Sequence, residues 1–300
     1  MNKSILIVGT GALATLFAAR LSADGVKVTM LGTWREGVTA LQKDGARLED
    51  RGGQPVQATN DPMDCQGAKF ALVLVKSWQT ERAASQLAQC LSEEGLAVTF
   101  QNGLGNDLIL SRALGNQRVS QGVVTLGATL LGPGFVHAGG NGVVTLEAHP
   151  RLDAICEMLR VANFETNIVE DAQPMVWSKL IVNAAINPIT TLLRVKNGEI
   201  LINPPARELM REIAEEAASV ANTLGINLPF LDPMQYVEQV AERTAENVSS
   251  MLQDVLRGAP TEVDAINGAV THVGELKGIP TPVNRVVWSL VKAIPARGKL

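Results

Sequence analysis

Between Trp177 and Ile200 the chain reads WSKLIVNAAINPITTLLRVKNGEI, in which Lys179, Asn183 and Asn187 recur at i, i+4 and i+8. On a helix that spacing stacks an ammonium and two amides along one face. Their neighbours Leu180, Ile181, Val182, Ala184, Ala185 and Ile186 are apolar, and a polar side chain buried among them without a partner costs roughly 1–3 kcal/mol. Loop caps or an adjacent helix would satisfy the stripe, and so would a ligand. The chemistry open to such a set is general acid catalysis, with the ammonium as the proton donor beside uncharged amides. Desolvation would lower the lysine pKa, and a nearby carboxylate would oppose that shift.

Further polar candidates downstream are Asn197, Asn247, Ser250 and Glu262. Arg257-Gly258 separates the last two, which are expected to flank a loop between helices. On spacing alone Glu262, following Thr261, equally reads as a first-turn acid of the final helix. His137 sits in a glycine-rich turn, His149 precedes a proline and His272 lies within a late helix, none beside an acidic partner in sequence. Lys179 is the better proton donor.

The start of the chain supplies a reason for a ligand. Ser4 to Val8 predicts a strand, GTGALA a tight turn, Leu13 to Leu21 an apolar helix, and Val26 to Leu31 a second strand. In this βαβ pattern Gly9 allows the turn, Gly11 lets backbone approach a pyrophosphate, and Ala14 replaces the third glycine with only a methyl group. Thr10, Ala12 and Leu13 complete the turn, and the helix N-terminus attracts the negative charge. Beyond the second strand the chain reads MLGTWREG, without an acid to accept ribose hydroxyls until Glu36. Thr33 and Arg35 suit a phosphate and Trp34 an adenine ring, which favours NADP over NAD. The alternative is a solvated loop in which Arg35 pairs with Glu36.

Lys69 to Val75 and Leu96 to Phe100 predict two more buried strands, ending in Lys76 and in QNGLGN. Ligands collect beyond the carboxyl ends of parallel strands, which singles out Lys76 and Asn102, although either could instead tie down its own loop. Gln117 to Thr129 predicts a strand or pair of strands, and Gly132 to Val144 a turn or hairpin. The expected division is a nucleotide-binding domain over 1–168 and a helical domain over 169–300. Helices are expected over Met175–Leu193, interrupted or kinked by Pro188, over Ala206–Leu224, from Met234 to Asn247 or beyond, and over Glu262–Lys277. Asn203-Pro204-Pro205 marks a helix entry and Gly225 a helix end.

Three hundred residues, 46% hydrophobic, accommodate two domains, and a net charge of −4 argues against a nucleic-acid partner. Cys65, Cys90 and Cys156 are odd in number and widely spaced, as expected of thiols in a reducing compartment and not of a disulfide or metal framework. MNKSILIVGTGA lacks a signal-peptide cleavage pattern and no stretch reads as a membrane span, so a cytoplasmic protein is expected.

These segments together resemble the ketopantoate reductase family, the 2-dehydropantoate 2-reductases, over essentially the whole chain. The resemblance is carried by the glycine turn, VKSWQT, QNGLGN, GVVTLGATLLGPG, WSKLIVNAAINPITTL, KNGEI and ENVSSMLQDVLRGAPTEVDAINGAV. It implies an α/β Rossmann-type N-terminal domain followed by an all-helical C-terminal domain, with the active site in the interdomain cleft, closed over its ligands. It implies hydride transfer from NADPH to the C2 ketone of 2-dehydropantoate, giving (R)-pantoate for pantothenate and coenzyme A synthesis. By the same resemblance Lys179 and Glu262 are catalytic, and Asn102, Asn183, Asn187, Asn197, Asn247 and Ser250 bind substrate. Lys76, Asn102 and Glu262 lie beside the cofactor.

One departure is at Thr33, where relatives often carry an arginine, with Arg35 two residues on as the replacement. Reduction of another branched 2-oxo acid with NADPH is the alternative activity. A sensor that binds NADPH without turnover is the alternative of a different class. The apolar helical domain could supply a homodimer surface.

Overall fold

The computed structural model describes residues 3–295, which fall into two compact units. One runs to Gln101 and resumes over Gly105–Ala172; the other comprises Asn102–Leu104 and the chain from Gln173 onward.

The first unit opens with β1 (Ser4–Val8), α1 (Ala12–Ala23), β2 (Lys27–Leu31), α2 (Arg35–Asp44), β3 (Ala46–Leu48), β4 (Arg51–Gln54) and β5 (Gln57–Thr59). It continues through β6 (Ala68–Val73), α3 (Thr80–Cys90), β7 (Leu91–Thr99), α4 (Asn106–Leu114) and β8 (Val119–Val124). It closes with β9 (Gly127–Gly132), β10 (Phe135–Gly139), β11 (Val143–Glu147), α5 (Asp153–Val161) and β12 (Glu165–Val169). The main sheet has eight strands in the order β12-β11-β8-β7-β6-β1-β2-β5, parallel throughout except between β8 and β11. β1 is continuously apolar from Ile5 to Val8 because both its faces are covered there. Ile5 and Ile7 enter one core with Phe17, Leu72 and Val98, while Leu6 and Val8 enter another with Leu31, Val73 and Leu87. From β1 the chain steps to β2 on one side and β6 on the other, so the turn after β1 lies where the strand order reverses.

A second sheet, β4-β3-β10-β9, covers α1 on the side away from β1 and β2. This explains a helix as uniformly apolar as ALATLFAARLSA: it is buried between two sheets. The strand pair expected over Gln117–Thr129 is β8 and the start of β9, and β9 turns into β10 at Pro133-Gly134. The strands β3, β4, β5 and β12 were not expected. RGGQ and QAT are too short and too polar to produce a periodic signal, and form because a neighbouring strand offers its edge.

The second unit contains α6 (Gln173–Leu193), a tight turn at Asn197–Ile200, α7 (Pro204–Thr223), α8 (Pro233–Arg243) and α9 (Ser250–Leu256). A π-helical turn at Asp264–Gly268 then leads into α10 (Ala269–Lys277) and α11 (Pro282–Lys292). α6 is the central helix and packs against α7, α8, α9 and α11. Asn203 caps α7 by accepting the Ala206 N–H at 3.3 Å, with proline at the first helical position. Gly225 follows α7 with φ +74°. Among the described residues no helix is long and apolar enough to cross a membrane.

Three sequence expectations need correction here. Pro188 does not interrupt α6, which continues to Leu193. Proline removes the N–H that would bond the Ala184 carbonyl, and the Asn267 side chain supplies the missing donor at 3.1 Å. The helix expected from Met234 to Asn247 or beyond ends at Arg243. The segment beyond is spent on the Asn197 turn: the carbonyls of Asn247 and Ala245 accept the N–H groups of Asn197 and Gly198 at 3.0 and 3.1 Å. Finally, Glu262 does not open an ordinary helix. Its carbonyl leads into the π turn, in which Gly268 N–H reaches the Val263 carbonyl at 3.0 Å.

Candidate active site

Within the helical unit, three of the expected residues converge. Lys179 is half-buried on α6, and desolvation lowers its pKa from 10.5 to about 8, opposed by the charge of Glu262. The Glu262 side chain is buried and accepts a 3.0 Å hydrogen bond from Asn102 Nδ2. Asn102 reaches it because the two residues after it lie against the π turn. Leu104 N–H bonds the Ala265 carbonyl at 3.0 Å, and a Cβ on Gly103 would stand 2.3 Å from that oxygen. Asp264, two residues from Glu262, is engaged elsewhere, at 2.7 Å from Trp288 Nε1 and 2.8 Å from Lys292 Nζ.

The asparagines of the stripe differ. Asn187 is buried, and its Nδ2 has no hydrogen-bond acceptor among the described residues. Asn183 is half-buried. Asn197 is buried, donates to Thr244 Oγ1 at 2.9 Å and finds no donor for its Oδ1 among the described residues. A buried amide donor and a buried amide acceptor thus remain to be met, each worth about 1–3 kcal/mol if left so. Asn247 and Ser250 are exposed. The neighbour Ser249 is the buried one: it caps α9 through Leu252 N–H at 3.2 Å and receives the Thr190 hydroxyl at 2.7 Å.

Sequence reasoning overlooked the link that carries the Glu262 turn on α6. Asn267 bonds both the Ala184 carbonyl and, at 3.0 Å, Asn284 Oδ1. Asn284 in turn donates to Glu216 at 2.8 Å, whose carboxylate also accepts the first-turn N–H groups of Val283 and Asn284 at 2.9 Å each. The signal that could have found Asn267 is the proline at 188, which orphans one named carbonyl.

In the first unit the turn after β1 fits a pyrophosphate. A Cβ on Gly9 would stand 2.9 Å from the Leu74 carbonyl oxygen, and its φ of +133° excludes a larger residue. Gly11 caps α1 with open space where a Cβ would be; no side chain bonds the first-turn N–H groups, and no acid lies in that turn. These orphan donors suit an anion. Thr10 and Ala14 are buried, and Ala12 and Leu13 are half-buried. Lys76, half-buried, follows β6, and its N–H bonds Gln79 Oε1 at 3.3 Å. A buried hydroxyl ties that loop to the one after β7: Thr80 Oγ1 lies 2.8 Å from Asn106 Oδ1 and accepts Gln101 Nε2 at 2.8 Å. Neither Thr80 nor Asn106 was singled out in the sequence.

Beyond β2, Thr33 and Arg35 are exposed and Trp34 is half-buried, its ring lying over Gly37. Arg35 and Glu36 are both exposed, as a solvated loop would have them, and no ion pair joins them. Thr33 Oγ1 instead accepts Arg82 Nη1 from α3 at 3.0 Å. The thiols take no part: burial pushes Cys65 up to about 12 and raises Cys90 and Cys156, so none is a thiolate at neutral pH.

The chain is similar to known proteins along nearly its whole length. The family profile "Ketopantoate reductase PanE/ApbA" matches residues 5–151, and its C-terminal counterpart matches residues 171–295. A 2-dehydropantoate 2-reductase of Archaeoglobus fulgidus is 38% identical over 299 residues, covering 97% of this chain and 98% of that protein. One from Pyrococcus horikoshii is 33% identical, covering 98% of each. Among solved structures, a PanE/ApbA family ketopantoate reductase from Ralstonia eutropha JMP134 superposes with a TM-score of 0.90 at 30% identity, covering 97% of this chain and 98% of that one. With profiles spanning both units and relatives matched over their full length, the chain belongs to the ketopantoate reductase family.

Proposed function

We propose that this protein reduces the C2 ketone of 2-dehydropantoate to the alcohol of (R)-pantoate, with NADPH as the reductant. The observation that carries the reading is the pairing of a desolvated Lys179 with a buried Glu262 that Asn102 holds in place. A bound reduced nicotinamide supplies the hydride. The glycine turn, with uncapped first-turn N–H groups on α1, suits the pyrophosphate of such a cofactor.

Reduction adds a hydride to the ketone carbon and a proton to its oxygen. Lys179 as ammonium supplies that proton from Nζ and is left as the neutral amine, to be reprotonated from solvent. Burial makes the transfer easier, because it favours the neutral form the lysine becomes. Glu262 opposes that effect of burial, so the ammonium is still populated at neutral pH. Asn187 Nδ2 and Asn197 Oδ1, both buried and unmet, suit the carboxylate and hydroxyl ends of a small 2-oxo acid. Asn183, Asn247 and Ser250 are assigned to the same substrate through the family likeness. The count of three unpaired cysteines supports a reducing, cytoplasmic setting.

The test is Lys179→Ala, assayed with 2-dehydropantoate and NADPH. Turnover should fall by about two to four orders of magnitude while cofactor binding changes little. Near-normal turnover would remove Lys179 from the role of acid.

A further inference from the structure

In a Rossmann-type unit the adenosine end of a dinucleotide rests beyond the carboxyl end of the second strand, where an acid accepts ribose hydroxyls and a cation accepts a 2′-phosphate. Here the four residues beyond β2, Gly32 to Arg35, include no acid. Gly32 is buried, and the half-buried Trp34 turns its ring back over Gly37 of its own helix. Two side chains of this loop remain exposed, the Thr33 hydroxyl and the Arg35 guanidinium.

A second guanidinium arrives from another element. Arg82 stands in the first turn of α3, after β6, and β6 is the strand on the other side of β1 from β2. Its Nη1 donates to Thr33 Oγ1 at 3.0 Å across 49 residues of sequence. That hydroxyl is its single partner among the described residues, and no carboxylate neutralises it. Glu81 precedes it in the chain, but adjacent helical residues point in different directions. A guanidinium presents five donors and one bond to Thr33 uses one, which leaves a fork for phosphate oxygens. The Thr33 proton is not used in that bond and is itself available to an anion.

We propose that Arg82, braced on the Thr33 hydroxyl, is a specificity-determining residue that selects a 2′-phosphorylated adenosine, so that preference for NADPH over NADH is set jointly by α3 and the β2–α2 loop. This rests on the reading of the protein as an NADPH-dependent reductase. The two elements meet at the ligand, with Arg35 as the local cation and Arg82 as the distant one.

The test is calorimetric titration of the full chain with NADP+, NAD+, 2′,5′-ADP and 5′-AMP, for the wild type, Arg82→Gln and Arg35→Gln. Arg82 is exposed and holds no buried group, so the variant retains the fold. Arg82→Gln should weaken NADP+ and 2′,5′-ADP by about tenfold or more and leave NAD+ and 5′-AMP within about twofold. The salt dependence of NADP+ binding should flatten in the same variant. A wild type that prefers NADP+ while Arg82→Gln keeps the full preference would overturn the role of Arg82 and leave the cofactor reading intact. A wild type that binds NAD+ as tightly as NADP+ would overturn both. Equal losses for phosphorylated and unphosphorylated ligands would mean that Arg82 only shapes the loop, and would also overturn the proposal.

Discussion

Burial and a neighbouring carboxylate pull the Lys179 ammonium in opposite directions, and burial wins: its pKa falls from 10.5 to about 8. Proton donation requires the ammonium, so the reduction rate should be level below about 8 and decline as pH rises through it, by about tenfold per unit at the limit. The pH dependence of kcat/KM for reduction, which reports the pKa of the free enzyme, measures this. A profile level to about pH 10, near the ordinary lysine value, would contradict a desolvated acid. Lys179 was visible in the sequence because an ammonium and two amides at turn spacing stand out against apolar neighbours. Arg82 was not. TERAASQL contains nothing that points toward Thr33, and the contact exists only because two strands flank β1.

At the scale of elements, α6 and the π turn are held as one piece by a bond that replaces a missing one. Pro188 cannot donate to the Ala184 carbonyl, and Asn267 does so at 3.1 Å. Asn267→Ala should therefore destabilise the fold by about 1–3 kcal/mol, part of it from the orphaned carbonyl. Pro188→Ala returns a backbone N–H to that position. The double variant should be more stable than the sum of the single effects, with a coupling of roughly 0.5–3 kcal/mol by denaturant unfolding. Simple additivity would sever the proposed connection. The long helices were legible because their apolar faces repeat with helical period. The ends of α8 and the start of the Glu262 segment were not, since each is decided by a partner distant in sequence: Asn197 for the first, and the orphaned carbonyl on α6 for the second.

For the whole molecule, the α/β unit and the helical unit divide the tasks of reduction. On the proposed reading the first would hold a dinucleotide at its glycine turn and acid-free β2 end, and the second would meet a small acid with Lys179 and the unmet amides. The main sheet was readable from runs such as SILIV and KFALV, whose strands are buried on both faces. Of the second sheet, β9 and β10 fall in segments expected to form strands or a hairpin, while β3 and β4 escaped, because strands of three or four residues carry no pattern of their own. The substrate's tail is likewise not encoded in the acid–base pair, which would serve any 2-oxo acid of suitable size. The most direct test of the central claim is a steady-state comparison of 2-dehydropantoate with other branched 2-oxo acids, using NADPH and the purified full chain. The expected result is a kcat/KM for 2-dehydropantoate about a hundredfold or more above the rest, since the unmet amides must be paired to be worth having. An equal or higher kcat/KM for another 2-oxo acid, or no turnover of 2-dehydropantoate, would contradict it.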